Sequence, residues 1–219
     1  MSFPMRKSIY LLMLALLGGC VVNAPPVAER TPDGLVRLQT KQVDTVYAVP
    51  GVSLASYKRV MLDSVDLAFK LDWQKRHPEV SDGDVTRIRS QGSAVFYEIF
   101  SAALTKENGY PLVSQPAPDV LRVTASITEL DVGSTLDSAG SKRMYVVDPS
   151  ALTLSMELRD STTGALLVRA IDKEKGRAVG NLQVVDAVSN SAEARRALEM
   201  WAGLLRGALD RARAAPPAP

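Results

Sequence analysis

The sequence predicts an α+β fold in which an antiparallel sheet of four or more strands carries two main helices packed on one face. Three observations support this prediction. Residues 152–159 alternate strictly between apolar and polar side chains, as expected of a strand in a sheet covered on one side. Two longer segments, about 84–107 and about 191–213, repeat apolar residues every three or four positions, which is typical of amphipathic helices.

The first strand and the first helix follow one another between residues 57 and 107. Residues 57–67 are rich in strand-forming side chains and predict the strand. Either Ser81 or Asp82 could cap the helix at its amino end, and Asn108-Gly109 is a typical helix stop. Because a helical crossover joins this strand to the next, a right-handed connection is expected if the two strands pair in parallel.

The later strands are predicted from alternation and turn residues. Alternating side chains predict a strand over 119–132, and a long loop is predicted over 133–149. A turn that ends at Gly164, a residue suited to a left-handed backbone, joins 152–159 to their hairpin partner, 165–173. The final helix is predicted to dock its apolar stripe on the sheet, with a partner-binding helix as the alternative.

The beginning of the chain has the layout of a secretory signal. Arg6 and Lys7 precede an uncharged apolar run over 9–17, which is about half the length of a membrane-spanning helix. The run ends in Leu17-Gly18-Gly19-Cys20, which resembles the lipobox of bacterial lipoproteins. That resemblance implies cleavage between Gly19 and Cys20 and lipidation of the Cys20 thiol.

Cysteine usage agrees with a lipid anchor. Cys20 is the only cysteine, so no intramolecular disulfide can form in an oxidising compartment. An ordinary secreted protein with an unpaired thiol is the alternative. Two or three acyl chains on one residue give durable anchoring, whereas a single chain binds reversibly. Val21 stands where an Asp would retain many lipoproteins in the inner membrane, so we expect the periplasmic face of the outer membrane.

Composition along the chain predicts four regions. Residues 1–19 form the signal peptide, and residues 20–45, with several prolines and little periodicity, form the lipidated cysteine and a flexible tether. Residues 46–213 form a single α+β periplasmic domain, since a hydrophobic content of 46% suits one globular core. Residues 214–219 form a disordered tail rich in Pro and Ala.

The charge balance gives no reason to expect a nucleic-acid partner. Residues 1–19 carry two basic residues and no acid, so the rest of the chain has 24 Lys+Arg against 24 Asp+Glu. Proteins that bind nucleic acids electrostatically need an excess of positive charge. The sequence therefore predicts no nucleic-acid binding.

The inventory of reactive side chains predicts a protein that is not an enzyme and holds no metal or cofactor beyond its covalent lipid. His77 is the only histidine, and it is expected to lie in an exposed loop. Zinc sites usually need three or four Cys, His or carboxylate ligands, and a serine nucleophile needs a base. The carboxylate pairs that a glycosidase would need are Asp63 with Asp66, Asp82 with Asp84, and Asp131 with Asp137, for which capping or solvation is the simpler interpretation.

Several segments resemble a known but uncharacterised family of proteobacterial lipoproteins. They are Pro50-Gly51-Val52, the stretch from Tyr57 to Asp63, the stretch from Pro118 to Val123, and the Trp201 helix. The family is the domain of unknown function thirty-three thirteen, and the resemblance covers about Tyr47 to Arg213. It implies a lipoprotein of the cell envelope, and it supplies no catalytic residues.

These observations predict a non-catalytic binding or assembly module in the periplasm, anchored to a membrane and contacting another envelope protein. The predicted contact surface is the 133–149 loop, with Lys142, Arg143, Met144 and Tyr145; a loop packed on its own domain is the alternative. A carrier or sensor of a small apolar or lipid ligand, held between sheet and helices, is a second hypothesis. An envelope-polymer hydrolase is a third.

Overall fold

The computed structural model describes residues 29–136, 143–148, 152–173 and 187–215, with the backbone alone described at 135–136, 143–148 and 187–191. The elements, in chain order, are β1 (Val36–Leu38), β2 (Thr45–Ala48), β3 (Arg59–Leu62), β4 (Asp66–Phe69), α1 (Trp73–Arg76), α2 (Asp82–Thr105), β5 (Val120–Leu136), β6 (Arg143–Asp148), β7 (Thr153–Asp160), β8 (Leu166–Lys173) and α3 (Ala187–Ala214).

Eight strands form one mixed sheet. Its main order is β1-β2-β8-β7-β5-β3, and β4 and β6 also pair with β5. The mixed α/β character and the mostly antiparallel pairing confirm the coarse prediction. The predicted antiparallel sheet is in fact mixed, because β3 and β4 both run parallel to β5. The α2 crossover between them returns the chain to the same end of the sheet, which is what parallel pairing requires.

The long strand β5 organises the sheet. One of its edges pairs with β3 and then β4, and the other pairs with β7 and then β6. The change of partner coincides with Glu129, whose φ of 61° lies in the left-handed region. The single first strand predicted over 57–67 is therefore two strands, β3 and β4, which lie one after the other along the same edge of β5.

The predicted loop over 133–149 was wrong. Residues 131–136 of β5 pair antiparallel with residues 148–143 of β6, so most of this segment is a β-ladder. The strand-forming residues Met144 to Val147 oppose a stretch of β5 that contains Gly133 and Ser134. These small and polar residues hide the alternation that would otherwise have predicted a strand.

The two long helices and the strands contribute to one hydrophobic core. α2 begins in a capping box between Ser81 and Asp84, which selects Ser81 from the two predicted caps. The core side chains of the helices are Ile88, Phe96, Ile99, Phe100 and Leu104 from α2, and Ala197, Leu198, Trp201, Ala202, Leu205 and Leu209 from α3. They join the apolar face of β5 and β7, which confirms the alternation predicted for 152–159.

The flexible tether predicted over 20–45 was wrong from residue 29 onward. β1 and the first residue of β2 lie inside it, and β2 pairs with β8. The Asp33-Gly34 turn belongs to a closed bend in which Leu35 N donates to Thr31 Oγ1, and the Leu35 side chain is 1% exposed. Residues 20–28 and the end of the predicted tail, 216–219, lie outside the described residues. No helix in the described ranges combines the length and apolar content needed to cross a membrane.

Candidate functional site

A half-open apolar slot of about 240 Å³ lies between α3 and the sheet, over β2, β7 and β8. We call it the α3 slot. Its strand side is lined by Val46, Leu154, Met156, Leu158, Val168 and Ala170. Its helix side is lined by Trp201, Leu204, Leu205 and Ala208. The connection between β1 and β2 closes one flank, with Gln39, Thr40, Gln42 and Val43.

The strand pairing brings the lining residues onto one face. Ala170 lies opposite Met156 on one side and Val46 on the other, and Leu158 lies opposite Val168. Directly paired residues share a face of the sheet, so these side chains all face α3. Two of the lining residues, Ala170 and Ala208, are small. Their short side chains leave space that larger residues would fill.

Asp172 ties three elements together at the edge of the slot. Its Oδ2 accepts a hydrogen bond of 2.8 Å from the indole Nε1 of Trp201, and its Oδ1 accepts one of 2.9 Å from the backbone N of Asp44. Asp44 in turn accepts a bond of 3.2 Å from the backbone N of Lys173. Helix α3, strand β8 and the β1–β2 connection are therefore held in a fixed relation around the slot.

A second apolar cavity lies between α2, α3 and the sheet. Leu67, Ile88, Val95, Ile127 and Leu198 are among its lining residues. Its lining reaches Leu152 and Ala192, which adjoin the undescribed ranges, so we give it no assignment.

The structure places His77 in a polar cluster beside α1 and away from the α3 slot. The expectation of an exposed loop histidine was wrong, since its side chain is only 20% exposed. Nδ1 lies 3.3 Å from Glu79 Oε1, and Nε2 lies 3.5 Å from Asp131 Oδ1. The Trp73 ring stacks on Phe69, with centroids 4.1 Å apart, and its centroid lies 5.4 Å from that of the imidazole.

The carboxylates of this cluster have structural partners. Burial raises the pKa of Asp131, but hydrogen bonds from Lys70 and Arg76 outweigh it and hold that pKa below its usual value. Lys70 Nζ lies 3.1 Å and Arg76 Nη1 3.3 Å from Asp131 Oδ2. Glu79 accepts a hydrogen bond of 3.2 Å from Ser134 Oγ. These contacts fasten α1 to β5, and we assign the cluster a structural role.

Of the other described acids considered from the sequence, Asp63 and Asp84 have partners, whereas Asp66 and Asp82 are exposed. Asp63 Oδ2 accepts a hydrogen bond of 2.8 Å from Arg122 Nε, and Asp84 closes the capping box of α2. Asp137 lies outside the described residues. Across the described ranges, no three His, Cys, Asp or Glu side chains are grouped so as to hold a metal ion.

The remaining predicted site residues cannot be placed by contacts. Gly19, Cys20 and Lys142 lie outside the described residues. Arg143, Met144 and Tyr145 belong to β6, where the backbone alone is described. The partner-contact surface therefore stays a prediction, on a strand and not on the loop first expected.

Sequence reasoning allowed for a gap between sheet and helices but did not identify its residues. Ala170 and Ala208 look like ordinary members of a strand and a helix, and they are 38 positions apart. Only the docking of α3 across β8 brings them to one cavity. One sequence signal could have located this cavity. Ala170 and Ala208 are small residues at core-facing positions, in elements that are otherwise rich in larger apolar side chains.

Comparison with known proteins identifies a family and gives little beyond it. No curated protein is similar enough in sequence to count as a match. Among solved structures, the PelC dodecamer of Paraburkholderia phytofirmans is 16% identical, with a TM-score of 0.35 over 71% of this chain and 97% of that chain. A variant of PelC is 14% identical, with a TM-score of 0.37 over 74% and 97%. TM-scores this low carry no argument about this chain.

The family profile described as protein of unknown function (DUF3313) matches residues 32–205. The match begins at the bend before β1 and ends in α3, so it includes every described strand. The chain belongs to the DUF3313 family.

Proposed function

We propose that this protein is a non-catalytic, membrane-tethered module of the bacterial cell envelope that binds a small apolar or amphiphilic molecule in the α3 slot. The observation that carries the proposal is the unfilled apolar space between α3 and the sheet. Protein interiors pack like organic crystals and contain few voids larger than a water molecule. An apolar slot of about 240 Å³ with a folded rim is therefore space that a ligand can occupy.

The size and lining of the slot support a single-chain ligand. Pockets that hold drug-sized molecules usually measure about 300–1,000 Å³. The slot is smaller, which suits one alkyl chain better than a two-chain lipid or a ring system. Burial of such a chain contributes about 0.8 kcal/mol per methylene group. The affinity would therefore rise with the length of the alkyl chain, and a short chain would bind reversibly, as a carrier or sensor requires.

The tether and the envelope location are supported by the sequence. The signal-like residues 1–19 and the lipobox at Gly19-Cys20 would place the folded domain on the periplasmic face of the outer membrane. Such a location would bring the slot close to a source of single-chain lipids. A contact with another envelope protein remains compatible with this role.

A non-catalytic role is supported by the engagement of the ionisable groups. Asp63 and Asp131 pair with cations, Asp84 caps α2, and His77 lies beside Asp131, all outside the lining of the slot. Asp66 and Asp82 are exposed and do not line the slot either. The residues that line the slot are mostly apolar, and its one carboxylate, Asp172, is used to hold Trp201 and Asp44. A hydrolase of envelope polymers would need two carboxylates facing each other across a cleft.

The proposal is tested by filling the slot. Organic extracts of the purified protein are analysed by mass spectrometry for the wild type, for Ala208→Phe and for the control Ala94→Phe, an exposed alanine on α2. We expect a small amphiphile to co-purify with the wild type and the control and to be lost from Ala208→Phe. An Ala208→Phe variant that retains the same molecules in the same amounts would overturn the slot assignment.

A further inference from the structure

The apolar α3 slot adjoins a polar depression. The two cavities share Thr40, Gln42, Val43 and Asp172 in their linings. Beyond these shared residues, the depression is lined by Lys41, Asp44, Lys173 and Met200. A molecule bound in the slot would therefore lie beside a polar surface.

Two acids near this junction already have partners. Asp172 accepts from Trp201 Nε1 and from the backbone N of Asp44, and Asp44 accepts from the backbone N of Lys173. Both carboxylates are therefore occupied in holding the rim together.

The cations at the junction are less engaged. In the described part of the chain, Lys41 has no ion pair, and the nearest carboxylate oxygen to Lys173 Nζ is that of Glu129 at 3.9 Å. Arg211, which lines the slot, has its closest described side-chain acceptor at Gln42 Oε1, 3.5 Å from Nη2. Three positive side chains thus surround a junction where two acids are engaged in hydrogen bonds. Because three cations face two acids, the residues that line this junction carry an excess of one positive charge.

We propose that the natural ligand of the slot is a single-chain amphiphile with an anionic head group. This inference rests on the proposed function and deepens it by naming the ligand class. The alkyl chain lies under α3 against Met156, Ala170 and Ala208. The head group, a carboxylate or a phosphate, lies in the polar depression within reach of Arg211, Lys41 and Lys173. Opposite charge strengthens binding at such a mouth, and a cationic head would be repelled.

The test uses the emission of Trp201, which lines the slot. The chain has two tryptophans, so Trp73→Phe leaves Trp201 as the only emitter. The full chain with Trp73→Phe and Cys20→Ser, which removes the acylation site, is titrated in detergent-free buffer. The probes are a terminally brominated undecanoate and the matching brominated undecanol. Bromine quenches indole emission only at short range, so saturable quenching reports a chain inside the slot.

We expect the undecanoate to bind at least tenfold more tightly than the undecanol, with an affinity that falls as salt rises. Replacing Lys41, Lys173 and Arg211 together by Gln should weaken undecanoate binding at least tenfold and leave undecanol binding unchanged. Ala208→Phe should abolish quenching by both probes. These results together would support the anionic head group.

Two results would overturn the inference. The first leaves the proposed function intact, and the second contradicts the proposed function as well. If both probes bind equally, the triple variant changes neither, and Ala208→Phe still blocks them, the slot holds an apolar chain but selects no anion. In that case the proposed function stands without this refinement. If neither probe quenches Trp201 at any concentration below its micelle threshold, both the inference and the proposed function fail.

Discussion

The indole of Trp201 and the carboxylate of Asp172 form a hydrogen bond of 2.8 Å that joins the middle of α3 to the end of β8. The Trp201 side chain is 2% exposed, so its N–H has no access to bulk water as an alternative partner. A buried donor left without an acceptor is costly, and a charged acceptor makes the bond stronger than a neutral one. This contact fixes the position of α3 over the slot.

Trp201→Phe is therefore expected to destabilise the fold more than Trp73→Phe does. Both indoles are 2% exposed, but Trp73 Nε1 donates to a neutral acceptor, the backbone O of Val132, at 3.0 Å. Both variants lose a similar ring area, and the charged acceptor should make the loss at Trp201 larger by about 1 kcal/mol. Urea unfolding of the two variants measures it. Equal free energies of unfolding would show that Asp172 adds nothing beyond packing.

The sequence predicted those parts of the fold that depend on near neighbours. The β7–β8 hairpin, its turn at Gly164 and the amphipathic α2 and α3 follow from alternation, turn chemistry and periodicity within a few residues. The parallel pairing of β3 and β4 with β5 could not be predicted in this way, because it depends on where the α2 crossover returns the chain.

The slot escaped prediction for a related reason. Ala170 and Ala208 become significant only when α3 crosses β8. The bend from Thr31 to Leu35 looked like a tether because its proline and glycine hide the short strand that follows. Hydrogen bonds such as Asp172 with Trp201 link residues far apart in sequence. Such contacts have no local signature from which they could be predicted.

The carboxyl end of α2 supplies a second stability test. Arg206 Nη1 donates to the backbone carbonyl oxygens of Leu104 and Lys106, at 3.3 and 2.9 Å, and so satisfies acceptors that the helix end leaves free. Gly109 lies in the same tight junction. A Cβ there would overlap the carbonyl oxygen of Leu104 and lie 2.8 Å from Arg206 Nη1.

We therefore expect Gly109→Ala to lower the free energy of unfolding by about 3 kcal/mol, in the range of overpacked sites. Gly203→Ala is the matched control, and it should change the free energy of unfolding in the opposite direction. Gly203 lies exposed within α3 with open space around it, so alanine should raise stability there by about 0.5–1 kcal/mol. Thermal and urea unfolding of the two variants measure whether each free energy of unfolding falls or rises. If Gly109→Ala were as stable as the wild type, the contact of residue 109 with Leu104 and Arg206 would be able to widen without loss of stability.

Tyr57 makes stability depend on alkaline pH. Burial, together with the hydrogen bond of 2.9 Å that its hydroxyl donates to Asp160, raises the pKa of Tyr57 to about 12. Tyrosine in an unfolded chain titrates near pH 10. Because the folded state holds the proton more tightly, this contribution is complete below about pH 10 and is lost as the pH rises towards about 12.

Tyr57→Phe should accordingly be less stable than the wild type by about 1 kcal/mol below pH 10, and the gap should narrow as the pH approaches 12. Tyr97→Phe, at a position that is 47% exposed, controls for the loss of a hydroxyl without these contacts. Urea midpoints at about pH 8, 10 and 11.5 measure the effect. A gap that stays constant across this range would show that Tyr57 titrates alike in both states.

The lipid anchor is the prediction on which the cellular role depends. If Cys20 is acylated, intact mass spectrometry of the membrane-extracted protein should show the loss of residues 1–19 and a mass increase that corresponds to two or three acyl chains. The variant Cys20→Ala should lack both changes, because it has no thiol to acylate. Ser53→Ala, in the β2–β3 connection, is a control for expression and handling and should behave like the wild type. A mature chain without acyl mass would locate the protein free in the periplasm, where the slot would have to collect its ligand from solution and not from a neighbouring membrane.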